Sequence, residues 1–240
     1  MSRPEFFELW VYLAASPLLG LTLTLVAYQV AHAAYIRLGL HPLANPVPIA
    51  IALIVAVLTM TGTDYKTYFD GAQFVHFLLG PAIVALAVPL YENWPRLRQL
   101  AAPLAVGLTV GAATAVATTL LLAHAFGLPA ASRWSLAAKS VTAPIAMGIA
   151  EQIGGLPALA AVFAIATGII GAALGKFVLD ACRIADPAAR GFAIGLAAHG
   201  IGTARAYQVS EVTGAFAGLA LGLHGLFASF ALPPLLRWIG

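Results

Sequence analysis

The sequence predicts an all-α, polytopic membrane bundle of about seven or eight membrane segments, two of them broken by glycine and proline, with an internal repeat. Three observations predict it. Of 240 residues, 61% are hydrophobic and only 9% are charged, whereas a soluble domain carries roughly a quarter charged residues to cover its surface. Apolar segments near span length recur along the chain with short polar connections between them. Two of these segments carry glycines, prolines and ionisable side chains that no lipid-facing helix tolerates. The composition excludes a soluble enzyme, a disordered chain, a coiled coil and a nucleic-acid binder. A formal charge of +3 is a small surplus on few charges, too sparse for a phosphate-binding patch. The single cysteine, Cys182, excludes an internal disulfide and a cysteine-based zinc cluster.

Residues 7–34 read as a retained first span with a kink near Pro17. Ala31-His32-Ala33 mimics a small-x-small cleavage site, but Glu5 and Glu8 outweigh Arg3, so the leader lacks the basic start of a secretion signal. Val47–Met60, opened by Asn45-Pro46, is short for a span, and a polar loop holding Asp64 and Asp70 follows it. Phe74–Tyr91 is the third apolar segment, interrupted by Gly80-Pro81 and Pro89. After a charged loop with Arg96 and Arg98 come a long Ala/Gly/Thr-rich span, Ala101–Phe126, and an interrupted segment, Leu136–Ile153. Leu156–Ala181 is a clean span, with Lys176 and Asp180 spaced to pair on one helix face near its end. A loop with Arg183 and Arg190 precedes a second interrupted segment, Gly191–Gln208, and Gly214–Trp238 is the last span. Gly214, Gly218 and Gly222 form a smooth stripe for close helix packing on it.

Two features of the layout point to a transporter. GPAIVALAVPLYEN, from Gly80, echoes APIAMGIAEQIGG, from Ala143, and each precedes a small-residue span containing GAA, at Gly111 and at Gly171. Repeats with broken segments at matching places mark secondary transporters. The two arginine-bearing loops, 92–98 and 183–190, both belong on the cytoplasmic side. Three full crossings between them would put them on opposite sides, and a re-entrant 136–153 would restore agreement.

The charges inside broken segments carry the chemistry. Arg205 lies in the apolar run AHGIGTARA, where burial costs at least a few kcal/mol unless a wet cavity or a partner compensates it. Gly200 and Gly202 allow the backbone to unwind, and Thr203 can cap a restarted half-helix. The N–H groups and positive dipole end of that half-helix suit a carboxylate or a phosphate. Arg205 would add a bidentate clamp, and His199 could donate to the substrate or carry a proton. The bland alternative is a snorkelling Arg205 and a satisfied core His199. The glycine pair is not a dinucleotide fingerprint, because Arg205 occupies the third glycine position and no strand precedes it.

The second cluster is Lys139-Ser140-Val141-Thr142-Ala143-Pro144, followed by Glu151-Gln152. Pro144 would free carbonyls near residue 140, beside the hydroxyls of Ser140 and Thr142, unless those hydroxyls are helix-packing glue. Glu151 could be a counter-charge to Arg205, a proton carrier or an interfacial residue. Asp64, Asp70 and His76 are weaker candidates, and His124 and His224, isolated on apolar helices, read as structural. No hydrolase, zinc-protease or P-loop motif is present, so the chain reads as a non-enzyme with no cofactor and no metal.

The blocks NPVPIAIALI, FLLGPAIVALAVPLY, KSVTAPIAMGIAEQIGG, TGIIGAALG, ADPAARGFAIGLAAHGIGTARA and GAFAGLALGL resemble the LrgB/CidB family of bacterial membrane proteins, over about residues 44–238. The resemblance divides the chain into an extra span, 1–43, and a transporter domain, 44–240. It implies a bacterial inner-membrane protein that carries small carboxylates such as glycolate, glycerate or pyruvate, with proton or sodium coupling and a tendency to self-associate. It equally implies the family's other role, modulation of murein hydrolase export with a holin-like LrgA or CidA partner, either as a regulator or as a subunit silent without that partner. It suggests Ser140, Thr142, Gln152, His199, Gly200, Gly202, Thr203 and Arg205 for the substrate and Glu151 and His199 for coupling. Ala143 stands where the family's motif has a second threonine.

Overall fold

The computed structural model describes residues 17–39, 44–78, 81, 91 and 94–239, and no strand occurs among them. The chain forms two compact units, Met1–Ala85 and Leu86–Gly240. Among the described residues, four helices are long and apolar enough to cross a membrane: Leu18–Arg37, Ala101–Ala125, Pro157–Ala181 and Glu211–Trp238. Their outward residues include Val106, Val110, Leu121, Leu122 and Val162, all exposed. Such faces are stable in hydrocarbon and unstable in water.

In the first unit, α1 (Pro17–Arg37) packs on α2 (Pro46–Thr61) and α3 (Tyr65–Phe77). Ala27 and Ala31 bury against Ala50, with Ile49 and Ile54 around them. Asn45 opens α2 by accepting the Val47 N–H at 2.9 Å, and Gly62, at φ 66°, closes it. Of the expected polar loop over 61–71, residues 65–71 are helical instead. Asp64 caps α3, its carboxylate accepting the Lys66 N–H at 2.9 Å, and Asp70 lies within that helix. Thr24 and Tyr68 share a hydrogen bond of 2.8 Å that ties α3 to α1. Residues 1–16, with Glu5, Glu8 and the approach to Pro17, lie outside the described residues, as does nearly all of 79–93 with the first copy of the expected repeat.

The second unit holds α4 (Trp94–Gln99), α5 (Ala101–Ala125), α6 (Ala130–Ala137), α7 (Ala143–Ile153), α8 (Pro157–Ala181), α9 (Pro187–Val209) and α10 (Glu211–Ile239). Each boundary has a local cause. Gly127, at φ 67°, and Pro129 follow α5, and Gly154, at φ 81°, ends α7. Pro157 and Pro187 open α8 and α9 in their first turns, where a missing N–H costs nothing. The Asp186 carboxylate caps α9 through the Ala189 N–H at 2.8 Å.

Two segments double back rather than cross. Ser135, fully buried on α6, accepts the Leu156 N–H at 2.8 Å and donates to Ala131 O at 2.7 Å. The two ends of 136–153 therefore meet, and the segment re-enters, with α7 leaving on the side from which α6 arrives. On α9, a Cβ at Gly191 would collide with the Thr213 carbonyl, and one at Gly214 would collide with the Tyr207 ring. Gly191 and Tyr207 thus both lie against the first turn of α10. A straight helix would hold them about 24 Å apart, so α9 reverses midway into two half-helices. With both reversals counted, only α5 and α8 run through without reversing between α4 and the connection 183–190.

Candidate functional site

The second reversal falls on a single residue, His199, at φ 40° and ψ −132°. A non-glycine residue at positive φ is strained and persists only where its surroundings hold it. The sequence points to the neighbouring glycines as the hinge, but the turn sits on the histidine because its ring is anchored. His199 is buried, and its Nε2–H donates to the Ala164 carbonyl of α8 at 2.8 Å. Gly168 makes room for that ring, since a Cβ there would lie 2.7 Å from its Cε1. Gly202 lets the returning half-helix close on the incoming one, because its Cβ would stand 2.5 Å from that of Ala198. Next to these crowded positions, a Cβ at Gly200 would meet nothing within 4 Å. The tip is tight on its packed side and open at Gly200.

The first reversal is a five-residue break, 138–142, between α6 and α7. Thr142, extended at φ −63° and ψ 150°, opens α7 without capping it by its side chain. Pro144 lies in the first turn of α7, so the carbonyls near Ser140 are freed by the break itself and not by proline. Ser140 is buried and Lys139 half-buried at this tip.

Both tips stop at the same height on α10. Leu196, just before the second reversal, offers its carbonyl to His224 Nδ1 at 3.0 Å. A Cβ at the next residue, Gly225, would lie 3.0 Å from Cδ1 of Ile145, in the first turn of α7. Lys139 lies in the break that forms the first tip. Two half-helices, α7 and the return of α9, therefore start near one point and run to opposite sides. The first turn of each leaves N–H groups without an intrahelical acceptor and ends a dipole of roughly +0.5 charge there. Positive ends, Lys139 and the Ser140 and Thr142 hydroxyls together suit a small anion.

The remaining candidates are placed elsewhere. Thr203 does not cap the restarted half-helix: it lies one turn inside, and its hydroxyl donates to the His199 carbonyl at 2.7 Å. Arg205 is further along, with Nη1 donating to Gln208 Oε1 at 3.0 Å. Glu151 and Gln152 sit exposed at the far end of α7, where Gln152 Nε2 donates to Gly148 O and the Gln152 carbonyl accepts from Arg237 Nε at 3.0 Å. Because α7 and the returning half of α9 diverge from the tips, Glu151 and Arg205 stand about 20 Å apart by helix rise, so Glu151 is not the counter-charge of Arg205. Lys176 and Asp180 do pair, at 2.7 Å, and Arg190 joins them at 2.7 Å. His224, read from the sequence as structural, is the residue of the tip that the sequence least advertises. Among the described residues no group of three or more potential metal ligands occurs.

The model of the LrgB-like family matches residues 24–238. Among relatives, the uncharacterized proteins YwbG and YxaC of Bacillus subtilis (strain 168) are 34% and 35% identical, covering 92% and 90% of this chain and 98% and 94% of their own. The Antiholin-like protein LrgB of Bacillus mycoides (strain KBAB4) is 29% identical over 94% of this chain and 98% of its own. No solved structure matches.

Proposed function

The chain belongs to the LrgB-like family, and on that premise we propose that it carries small carboxylates across a bacterial inner membrane by alternating access. The observation that supports this most is the meeting of two half-helix starts at one height on α10, beside Lys139. Discontinuous helices whose N-termini point at an anionic group are how several carriers hold a carboxylate at mid-membrane. In this reading Ser140, Thr142 and the open backbone at Gly200 cradle the carboxylate, Gly202 and His199 shape the turn, and Arg205 stands on the exit. An inverted repeat belongs to the same reading. Helices α5 and α8, each of 25 residues, are each followed by a reversal, entered from opposite sides. One repeat rocking against the other would open the tips to each side in turn, with a proton or a sodium ion coupled to the carboxylate. The test is uptake of labelled glycolate and pyruvate into proteoliposomes: saturable flux, competed by the other acid, is expected, and R205A should lower apparent affinity.

A second reading is favoured by the name of the antiholin-like relatives. The chain would then work with an LrgA-type membrane partner, or as a self-associated assembly, to modulate murein hydrolase release. That reading expects proteoliposomes without saturable flux, and a subunit dependent on its partner expects flux only after the partner is added.

A further inference from the structure

We propose that His224 is a positioning residue: its Nδ1–H takes the place of a backbone amide on the Leu196 carbonyl and so sets the tip of the second hairpin. The proposal rests on the carboxylate reading for its functional consequence, and on geometry alone for its structural one. In an unbroken helix the Leu196 carbonyl would accept the N–H of Gly200, four residues on. The reversal at His199 falls one residue before that amide, and in an apolar interior an unsatisfied acceptor costs as much as a lost hydrogen bond. His224 supplies the missing donor at 3.0 Å, from a ring that is itself buried. A carbonyl can only accept, so Nδ1 carries the proton in every state in which this bond exists.

The consequence is an exchange of roles. On this proposal Leu196 is satisfied by a side chain, so the Gly200 amide is not needed inside α9 and is released to the side of the tip that is open at Gly200. His199 completes the arrangement from the other side by donating to Ala164. The hairpin tip is held between α8 and α10 by two histidines, one reaching out of it and one reaching in. This also accounts for a polar ring in the middle of α10, whose neighbours Gly222, Leu223, Gly225 and Leu226 have no polar side chain.

The test uses full-length protein purified in detergent and three substitutions. H224N keeps an amide donor where Nδ1 stands, H224L removes the donor, and H224Q carries its amide one bond too far while filling similar volume. Amide exchange across 196–203 is measured by mass spectrometry, alongside the concentration of glycolate needed to slow it. Exchange about tenfold faster in H224L and H224Q than in wild type, with H224N within about twofold, is expected from the loss of one buried hydrogen bond. Glycolate affinity should fall in the same two variants and recover in H224N. If H224L is not recovered from the membrane, H224Q against H224N decides alone. Exchange in H224Q equal to wild type, or H224N as loose as H224Q, would overturn the positioning role. Were the hairpin to loosen as stated while glycolate protected no form of the protein, the positioning role would stand and the carboxylate reading would fall.

Discussion

The two reversals solve one problem differently. Each brings a chain into a low-dielectric interior and must satisfy the backbone groups exposed by turning it round. The first spreads the turn over five residues, 138–142, and leaves α7 to start from Thr142 with no side-chain cap. The second makes the turn at one strained residue and ties it with two histidines. A loose turn beside a rigid one is a workable design for a site that must change access, because only one wall has to move. The contrast also predicts where each hairpin is fragile: the first at its base, through Ser135, the second along its backbone contacts.

The largest expected effect is all-or-none. If both segments re-enter, single cysteines placed in a C182S background at Phe126 and Leu156 react with an impermeant maleimide from one side, and those at Ile184 and Val209 from the other. All four positions are exposed. Labelling of Phe126 and Leu156 positions from opposite faces would mean that 136–153 crosses.

Next come the backbone contacts. A Cβ at Gly195 would collide with the Ala217 carbonyl, and neither helix backbone can yield cheaply. G195A is expected to destabilise the protein by about 3 kcal/mol, with a matching fall in thermal midpoint in detergent. G148A on α7, where a Cβ meets nothing within 4 Å, should be neutral or raise the midpoint slightly. Equal losses in the two variants would erase the distinction between a tight hairpin and a loose one. At the base of the first hairpin, S135A removes the buried hydroxyl that accepts the Leu156 N–H and should cost about 1–3 kcal/mol. T203V removes only a hydroxyl bonded to the already helical His199 carbonyl, and about 1 kcal/mol is expected.

Much of the architecture is legible in the sequence because lipid is an exacting solvent. Spans must be continuous and apolar, so α5, α8 and α10 stand out, and the breaks at 136–153 and 191–208 stand out by violating the same rule. The reversals are harder to read. Whether Gly191 and Gly195 approach α10 backbone to backbone depends on Thr213 and Ala217 far along the chain, and a helix that turns and one that merely kinks share the same glycines. Direction is invisible too: Glu151 and Arg205 look like partners as charges, yet α7 and the returning half of α9 carry them to opposite sides. Asp64 reads as loop because polar residues crowd there, although an aspartate ahead of Tyr65-Lys66 also signals a helix start. His224 hides because a lone histidine on an apolar helix has no local pattern. Its meaning comes from the carbonyl that another element leaves bare.

The smallest expected effect decides what holds the second hairpin in place. At its base, Asp180 gathers Lys176 and Arg190, each at 2.7 Å, which on distances alone is a strong polar cluster. Lys176 and Asp180 are well exposed, at 59% and 45%, with Arg190 more covered at 18%, and solvent and salt screen such pairs to little net worth. The two histidine bonds at the tip are longer, at 2.8 and 3.0 Å, but they are buried, so nothing replaces them when they break. D180N should therefore leave the thermal midpoint and the exchange of 196–203 where they are in wild type at physiological salt, below the effect of T203V. If D180N loosens the tip more than T203V does, the hairpin is hung from its charged base, and the two histidines follow its position rather than set it.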